Sequence, residues 1–181
     1  ATRDMRLGTG VSVPGIRQAP VTANGIATIN RLAPGRCFLS LGTGNTAART
    51  LGQRPMRLKD FERYIRVVKS LLQGEEVEYT NQAGVHKIQF QMLEHSFIDL
   101  QNSIPIYIAG FGPKAQQIAG DLGDGLISGI PRGGSVSAML ENVRRGAQNG
   151  GHPLRSDFET SVLANTILLE PNEQIGRRRA G

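Results

Sequence analysis

Short apolar runs that stop at glycine alternate with amphipathic helical patterns along this chain, and that alternation constrains the fold more than any other feature. "MRLGTGVSV" (5–13) reads as a buried strand. "APVTANGIATINRL" (19–32) follows as a helix, with Pro20 in its first turn and Val21, Ile29 and Leu32 among its apolar positions, and it stops at Pro34-Gly35. "RCFLSLG" (36–42) is a second strand. The strongest helix is "RLKDFERYIRVVKSLLQG" (57–74), where Leu58, Phe61, Ile65, Val68, Leu71 and Leu72 recur near the helical period and Gly74 follows. "SIPIYIAG" (103–110) and "DGLISGI" (124–130) are further strands, separated by the helix "PKAQQIAGDLG" (113–123). "SVSAMLENVRRGAQNGG" (135–151) predicts another helix, and "TSVLANTILLEP" (160–171) a fifth strand. Strand and helix repeated in this way predict a parallel α/β sheet. Residues 75–102 interrupt it: Val77 and Tyr79 face Val85, Ile88 and Phe90 across Ala83-Gly84 as in a hairpin, so the stretch reads as an insertion within one domain spanning 1–181.

Two α/β architectures fit such a chain. An open dinucleotide-binding sheet is suggested by Gly42-Thr43-Gly44, with Ala47 where the last small residue of a GxGxxG/A fingerprint would fall. That fold needs an acid about 20 residues further on, at the end of the next strand. Asp60 and Glu62 are the acids in that window, and both fall inside the strongest helix. "NTAARTLGQRPM" (45–56), broken by Gly52 and Pro55, also separates the glycine loop from any predicted helix. A (β/α)8 barrel, in contrast, carries its site on loops at the C-terminal ends of parallel strands. Three strand ends here carry such loops: Gly8-Thr9-Gly10, Gly42-Thr43-Gly44-Asn45 and Gly110-Phe111-Gly112-Pro113. With about five strands in place of eight, the expectation is a partial TIM-type barrel, incomplete at both ends, with unpaired sheet edges.

Charge and composition remove several function classes. Half of the net charge of +6 comes from Arg177, Arg178 and Arg179 near the C-terminus, and the other cations alternate with acids on helices, as in "LKDFERYIRVVK". Aromatic residues are 5% of the chain and do not interleave with the basic ones, which argues against a nucleic-acid surface. No apolar run reaches the ~20 residues of a membrane span. Cys37 is the single cysteine and reads as a small core residue in a protein of the reducing cytoplasm. His86, His95 and His152 are not spaced as metal ligands, so no metal is expected.

The segments "RLGTGVSVPGIRQAPVTANGIATINRLAPGRCFLSLGTGN", "RLKDFERYIRVVKSLLQGEEVEY" and "IPIYIAGFGPKAQQIAGDLGDGLI", in this order, resemble the luciferase-like monooxygenase superfamily. The likeness is greatest to its coenzyme F420-dependent branch, which includes methylenetetrahydromethanopterin reductase and the F420-dependent glucose-6-phosphate dehydrogenase. The resemblance implies a TIM-like barrel that holds coenzyme F420, or alternatively FMN, at its strand C-terminal ends. It maps a non-proline cis peptide to Gly10–Val11, where a bulge would press on the central ring of the cofactor. It implies phosphate binding by Gly42, Thr43, Gly44 and Asn45. The second half of that cradle would be Gly110, Phe111, Gly112, Pro113 and Lys114, at a helix N-terminus that Pro113 suits. Asn45 stands where the sugar-phosphate dehydrogenases place an acid used in proton transfer, and a neutral amide can orient a ring but cannot donate a proton as an acid. The family's histidine and tryptophan near the reacting centre belong to strands ahead of the matched region, so no catalytic residue is assigned. The implied activity is hydride transfer from F420H2 to a small organic substrate. The alternatives are FMNH2-dependent insertion of one oxygen atom from O2, or a non-catalytic flavin-binding or truncated barrel remnant. A homodimer or larger oligomer is expected from the open edges.

Overall fold

The computed structural model describes residues 3–129 and 135–163. Its elements run β1 (Leu7–Gly8), α1 (Ala19–Leu32), β2 (Cys37–Leu41), α2 (Asn45–Thr50), α3 (Leu58–Leu72), β3 (Val77–Asn81), β4 (Gly84–Ile88), β5 (Ile106–Ala109), α4 (Pro113–Leu122), β6 (Gly125–Gly129), α5 (Val136–Asn149) and β7 (Glu159–Leu163). Five strands form one parallel sheet in the order β1-β2-β5-β6-β7, and β3 and β4 make a separate antiparallel hairpin. The order never reverses, so the sheet lacks the switch point that a dinucleotide-binding sheet requires. This is a half-barrel.

The helices pack on one face of the sheet. Leu39 and Leu41 of β2, Ile106 and Ile108 of β5 and Leu126 of β6 are buried in a single apolar cluster with Ile26, Phe61, Ile65, Val68, Ile118, Leu122, Met139 and Val143. Burying side chains of this size stabilises by roughly 1.5–3 kcal/mol each. The alternate residues, Phe38 and Tyr107, stack on the opposite, concave face with ring centroids 5.3 Å apart. Arg6 lies 5.4 Å and 5.6 Å from those two centroids. It also donates to the Tyr107 hydroxyl and to both Glu159 oxygens, the latter at 3.0 Å. Arg6 precedes β1 and Glu159 begins β7, at opposite edges of the sheet. A flat five-stranded sheet would hold those edges ~19 Å apart, further than an arginine and a glutamate can jointly reach, so the sheet is curled.

Three local expectations change. The first strand, expected over 5–13, is regular only at Leu7–Gly8 and rejoins β2 as a single bridge at Ser12, for a reason that belongs to the site. A helix does follow the second glycine loop: α2 begins directly after Gly44, whose φ of +81° turns the chain into it, and ends before Gly52 at φ +69°. Ala47 and Ala48 supply the helix propensity that the flanking breakers concealed. On α1, Val21, Ile29 and Leu32 point outward, Leu32 at 80% exposure, while the buried face is Ala19, Thr22, Ala23, Ile26, Ala27 and Asn30. Small residues let this helix approach the sheet and α3 closely, and Tyr64 of α3 donates its hydroxyl to Thr22 at 2.6 Å. Asn30, fully buried, donates to the carbonyls of Asp99 and Asn102, tying α1 to the segment that leads into β5. The fifth strand is described to Leu163; its expected continuation through 171 and the arginines at 177–179 lie outside the described residues. Among the described residues no helix is long and apolar enough to cross a membrane, and no cluster of His, Cys, Asp and Glu could hold a metal ion.

Candidate functional site

The ends of β1, β2 and β5 meet at Gly42. A Cβ built there would lie 3.0 Å from Val11 Cγ2 and 3.2 Å from the Ala109 Cβ, so residues following β1 and ending β5 close over this one glycine. The next glycine, Gly44, meets Val13 in the same way, with Cγ1 2.2 Å from a built Cβ. Gly8 pairs with Phe38 and Ser12 bridges to Leu41, so four steps along the first chain segment oppose three along β2. The surplus residue is a β-bulge at Thr9–Val11. Ser12 resumes the ladder, donating to the Ser40 carbonyl at 2.8 Å and accepting from the Gly42 N–H at 3.2 Å. The Gly10–Val11 peptide is cis.

Between these anchors the Thr9 hydroxyl takes over the missing ladder bonds. It accepts from the Ser40 N–H at 2.9 Å and donates to the Ser40 carbonyl at 2.8 Å. Ser40 is fully buried and its own hydroxyl has no partner among the described residues. Beside the bulge is a cavity of about 340 Å³ lined by Thr9, Val11, Ser12, Val13, Ile16, Arg17 and Ala47. Arg17 also lines a cavity of about 310 Å³ in the helix layer, against Asp60, Arg63, Tyr64 and Tyr79. The second cavity lies against the 14–18 loop that leads into α1, against α3 and against the hairpin, and it shares Ile16 and Arg17 with the first; only the first is lined by the Thr9–Val11 bulge.

At the end of β5, Gly110 packs tightly, a built Cβ standing 3.0 Å from the Ala115 carbonyl carbon. Among the described residues Gly112 has nothing within 4 Å of that position, and neither does Gly10. Gly112 is the N-cap of α4, Pro113 begins the helix, and no side chain caps it. The first-turn N–H groups of such a helix have no intrahelical acceptor and favour an anion. Phe111 is 71% exposed, with its ring edge 3.0 Å from a Cβ built on Gly129 at the end of β6. The backbone at these strand ends could therefore hold a phosphate-bearing ring cofactor: open glycines, an uncapped helix start and apolar walls from Val11 and Phe111 lie on one rim.

The remaining candidates are placed differently. Thr43 is half-buried and its carbonyl accepts from the Met56 N–H at 3.1 Å. Asn45 accepts at its amide oxygen from Arg49 Nε at 2.8 Å, within α2. Lys114 lines an opening among α3, α4 and α5 with Glu62 and Asp121, in the helix layer beneath the rim. Cys37 is buried at 1% exposure, burial pushes its thiol pKa up, and it is remote from nucleophilic chemistry. Sequence reading placed Thr9 in a strand-end loop without giving it a role of its own, and it did not single out Ser40 or Arg17. The one local hint was a polar residue between glycines in "GTGV", and nothing in the sequence said that its hydroxyl would bind β2.

A parallel half-barrel with its helices on the convex face and glycine loops on one rim defines a TIM-barrel-type protein whose candidate site lies at its strand ends. The model of the luciferase-like monooxygenase family matches residues 1–180, and this chain belongs to that family. Among curated relatives, the 5,10-methylenetetrahydromethanopterin reductase of Archaeoglobus fulgidus is 30% identical over 168 residues, covering 91% of this chain and 48% of the relative. The F420-dependent glucose-6-phosphate dehydrogenase of Mycolicibacterium fortuitum is 32% identical over 161 residues, covering 83% and 46%. The chain thus spans about half the length of the relatives it matches. Two solved structures share the fold. An F420-dependent secondary alcohol dehydrogenase in complex with an F420-acetone adduct has a TM-score of 0.70 at 20% identity, covering 90% of this chain and 50% of that one. The oxygenating constituent of 3,6-diketocamphane monooxygenase from Pseudomonas putida, in complex with FMN, has a TM-score of 0.66 at 18% identity, covering 88% and 48%.

Proposed function

We propose that this chain is the cofactor-binding part of an F420-dependent oxidoreductase that reduces or oxidises a small organic substrate by hydride transfer. The observation that carries the reading is the convergence at Gly42 of the Thr9–Val11 bulge with the ends of β2 and β5. A bulge re-aims the backbone into the rim, and here it stands beside the glycine that ends β2 and the end of β5. When bound, the deazaflavin supplies the hydride chemistry; the protein binds, orients and shields it. Val11 and Phe111 offer apolar surface to a ring. The Gly110–Pro113 turn and the start of α4 offer N–H groups to a phosphate. Thr43 and Asn45 stand beside them on the neighbouring loop. The likeness to F420-dependent enzymes supports F420 ahead of FMN.

Titrating the purified chain with F420 and, separately, with FMN tests this reading. The expected result is saturable binding of F420, followed by its absorbance near about 420 nm, tighter than that of FMN. Tighter binding of FMN would move the assignment to the oxygen-inserting chemistry. Binding of neither would overturn the reading.

A further inference from the structure

We propose that Thr9 is the positioning residue of the rim: its hydroxyl fixes the height at which the Gly10–Val11 bulge stands against a bound ring. The inference rests on the cofactor reading above and adds to it the group that sets the geometry. Four steps from Gly8 to Ser12 oppose three from Phe38 to Leu41, so the ladder between the two segments cannot be continuous. A bulge leaves backbone groups of the partner strand unpaired, and the strand at risk is buried: Ser40 has 0% exposure. One hydroxyl has a donor and two acceptor positions, and Thr9 uses it in both senses on the same residue, at 2.9 Å to the Ser40 N–H and 2.8 Å to the Ser40 carbonyl. Ser40's carbonyl is shared with the Ser12 N–H at 2.8 Å, so the bulge is anchored at both ends to a single residue of β2. Beyond it Val11 rests on Gly42. The span between the anchors, Gly10–Val11, therefore has little freedom to rise or fall, and a Cβ built on Gly10 meets nothing within 4 Å among the described residues. A rim wall of fixed height discriminates between ring shapes. A two-electron reduction changes the shape of a flavin-type ring, so the anchor biases oxidised against reduced cofactor through the bulge.

The variants that test this are Thr9→Val, which removes the hydroxyl at nearly constant volume, and Thr9→Ser, which keeps it. Thr9→Ala is carried in parallel, since it removes the hydroxyl without placing a second methyl in a crowded strand. Two readouts are measured on the full chain: amide hydrogen exchange at Ser40, and the dissociation constants of oxidised and reduced F420. In Thr9→Val and Thr9→Ala, Ser40 is expected to exchange about tenfold faster or more, as a locally released amide does. The oxidised-to-reduced affinity ratio is expected to shift by about fivefold or more in these two, and to stay within about twofold in Thr9→Ser. Unchanged Ser40 exchange in both hydroxyl-free variants overturns the proposal, and so does an unchanged affinity ratio. A residue of merely structural importance would weaken both redox states alike. If the unaltered chain binds no F420 or FMN, the cofactor reading fails by itself, while Ser40 exchange still decides whether Thr9 governs the bulge.

Discussion

Helices α4 and α5 touch backbone to backbone, and this makes Gly146→Ala a decisive substitution. A Cβ at Gly146 would lie 1.9 Å from the Gln117 carbonyl oxygen and 2.6 Å from both Gln117 C and Cα. Non-bonded carbon and oxygen need close to 3.4 Å, so the helices must part by ~1.5 Å. The atoms in the way belong to the backbone, so no rotamer change relieves the contact. Separation would loosen Ile118, Leu122, Met139 and Val143, all buried along this pairing. Overpacking of this kind costs about 1–3 kcal/mol, and the upper end applies where backbone must move. Against it stands the gain of about 1 kcal/mol from replacing glycine by alanine inside a helix. The net expectation is destabilisation by ~2 kcal/mol, or a melting point lower by about 4–8 °C for a chain of this size. Gly25, mid-helix on the exposed side of α1 with nothing within 4 Å of a built Cβ, is the internal control. There Gly25→Ala is expected to stabilise by about 0.5–1 kcal/mol. Urea titration of both variants beside the unaltered chain measures the two signs directly. A Gly146→Ala midpoint equal to or above that of the unaltered chain would refute the reasoning, whatever Gly25→Ala does. Because α4 begins at the rim, the same variant is also expected to weaken cofactor binding, whereas Gly25→Ala is not.

Arg6→Ala is expected to cost about 1–2 kcal/mol, the joint worth of a half-exposed ion pair and two ring contacts. The loss should shrink in high salt, and an effect that does not depend on salt would argue that packing alone matters. Ser40→Ala removes a buried hydroxyl that has no partner among the described residues, so it is expected to leave the unfolding midpoint unchanged or raise it; a clear drop would show that this hydroxyl is hydrogen-bonded. For Asp99, burial works to raise the pKa, but the Asn102 side chain and the backbone N–H groups of Asn102 and Gln101 outweigh it, and the net shift is downward. The folded state therefore binds that proton less readily than the unfolded one. Its stabilisation is fully present above about pH 4 and is lost as pH falls through the folded value. Asp99→Ala should flatten the acid limb of the stability–pH profile while costing about 1–2 kcal/mol at neutral pH, and an unchanged acid limb would contradict the assignment.

Periodicity located most of the elements because it is local. The helix at Leu58–Leu72 and the strand at Cys37–Leu41 follow from residues within one or two turns of each other, whatever lies elsewhere. The failures share a cause. Val21, Ile29 and Leu32 have an apolar spacing equal to that of a core face, yet α1 buries Ala23, Ile26 and Ala27, because the face that packs on the sheet and α3 is the one whose mostly small side chains allow a close approach. Apolar pattern reports which residues could be buried, and packing selects among them. The short α2 was hidden for a related reason: Gly52 and Pro55 read as breakers, and the positive φ of Gly52 shows it to lie just past the end of a helix that begins after Gly44.

By itself, then, the sequence determined a parallel α/β chain, glycine at three strand ends and a likeness strong enough to name the family. Such properties are written in short runs of neighbouring residues. Tertiary structure alone decided that Thr9 would serve both backbone groups of Ser40, 31 positions away, and that Arg6 would reach Glu159 across the curl, 153 positions away. It also decided that Gly120 and Gly146 would sit against the opposing helix backbone. Each of these depends on two segments arriving at one place with one register, and a threonine, an arginine or a glycine looks the same in sequence whether or not its partner arrives.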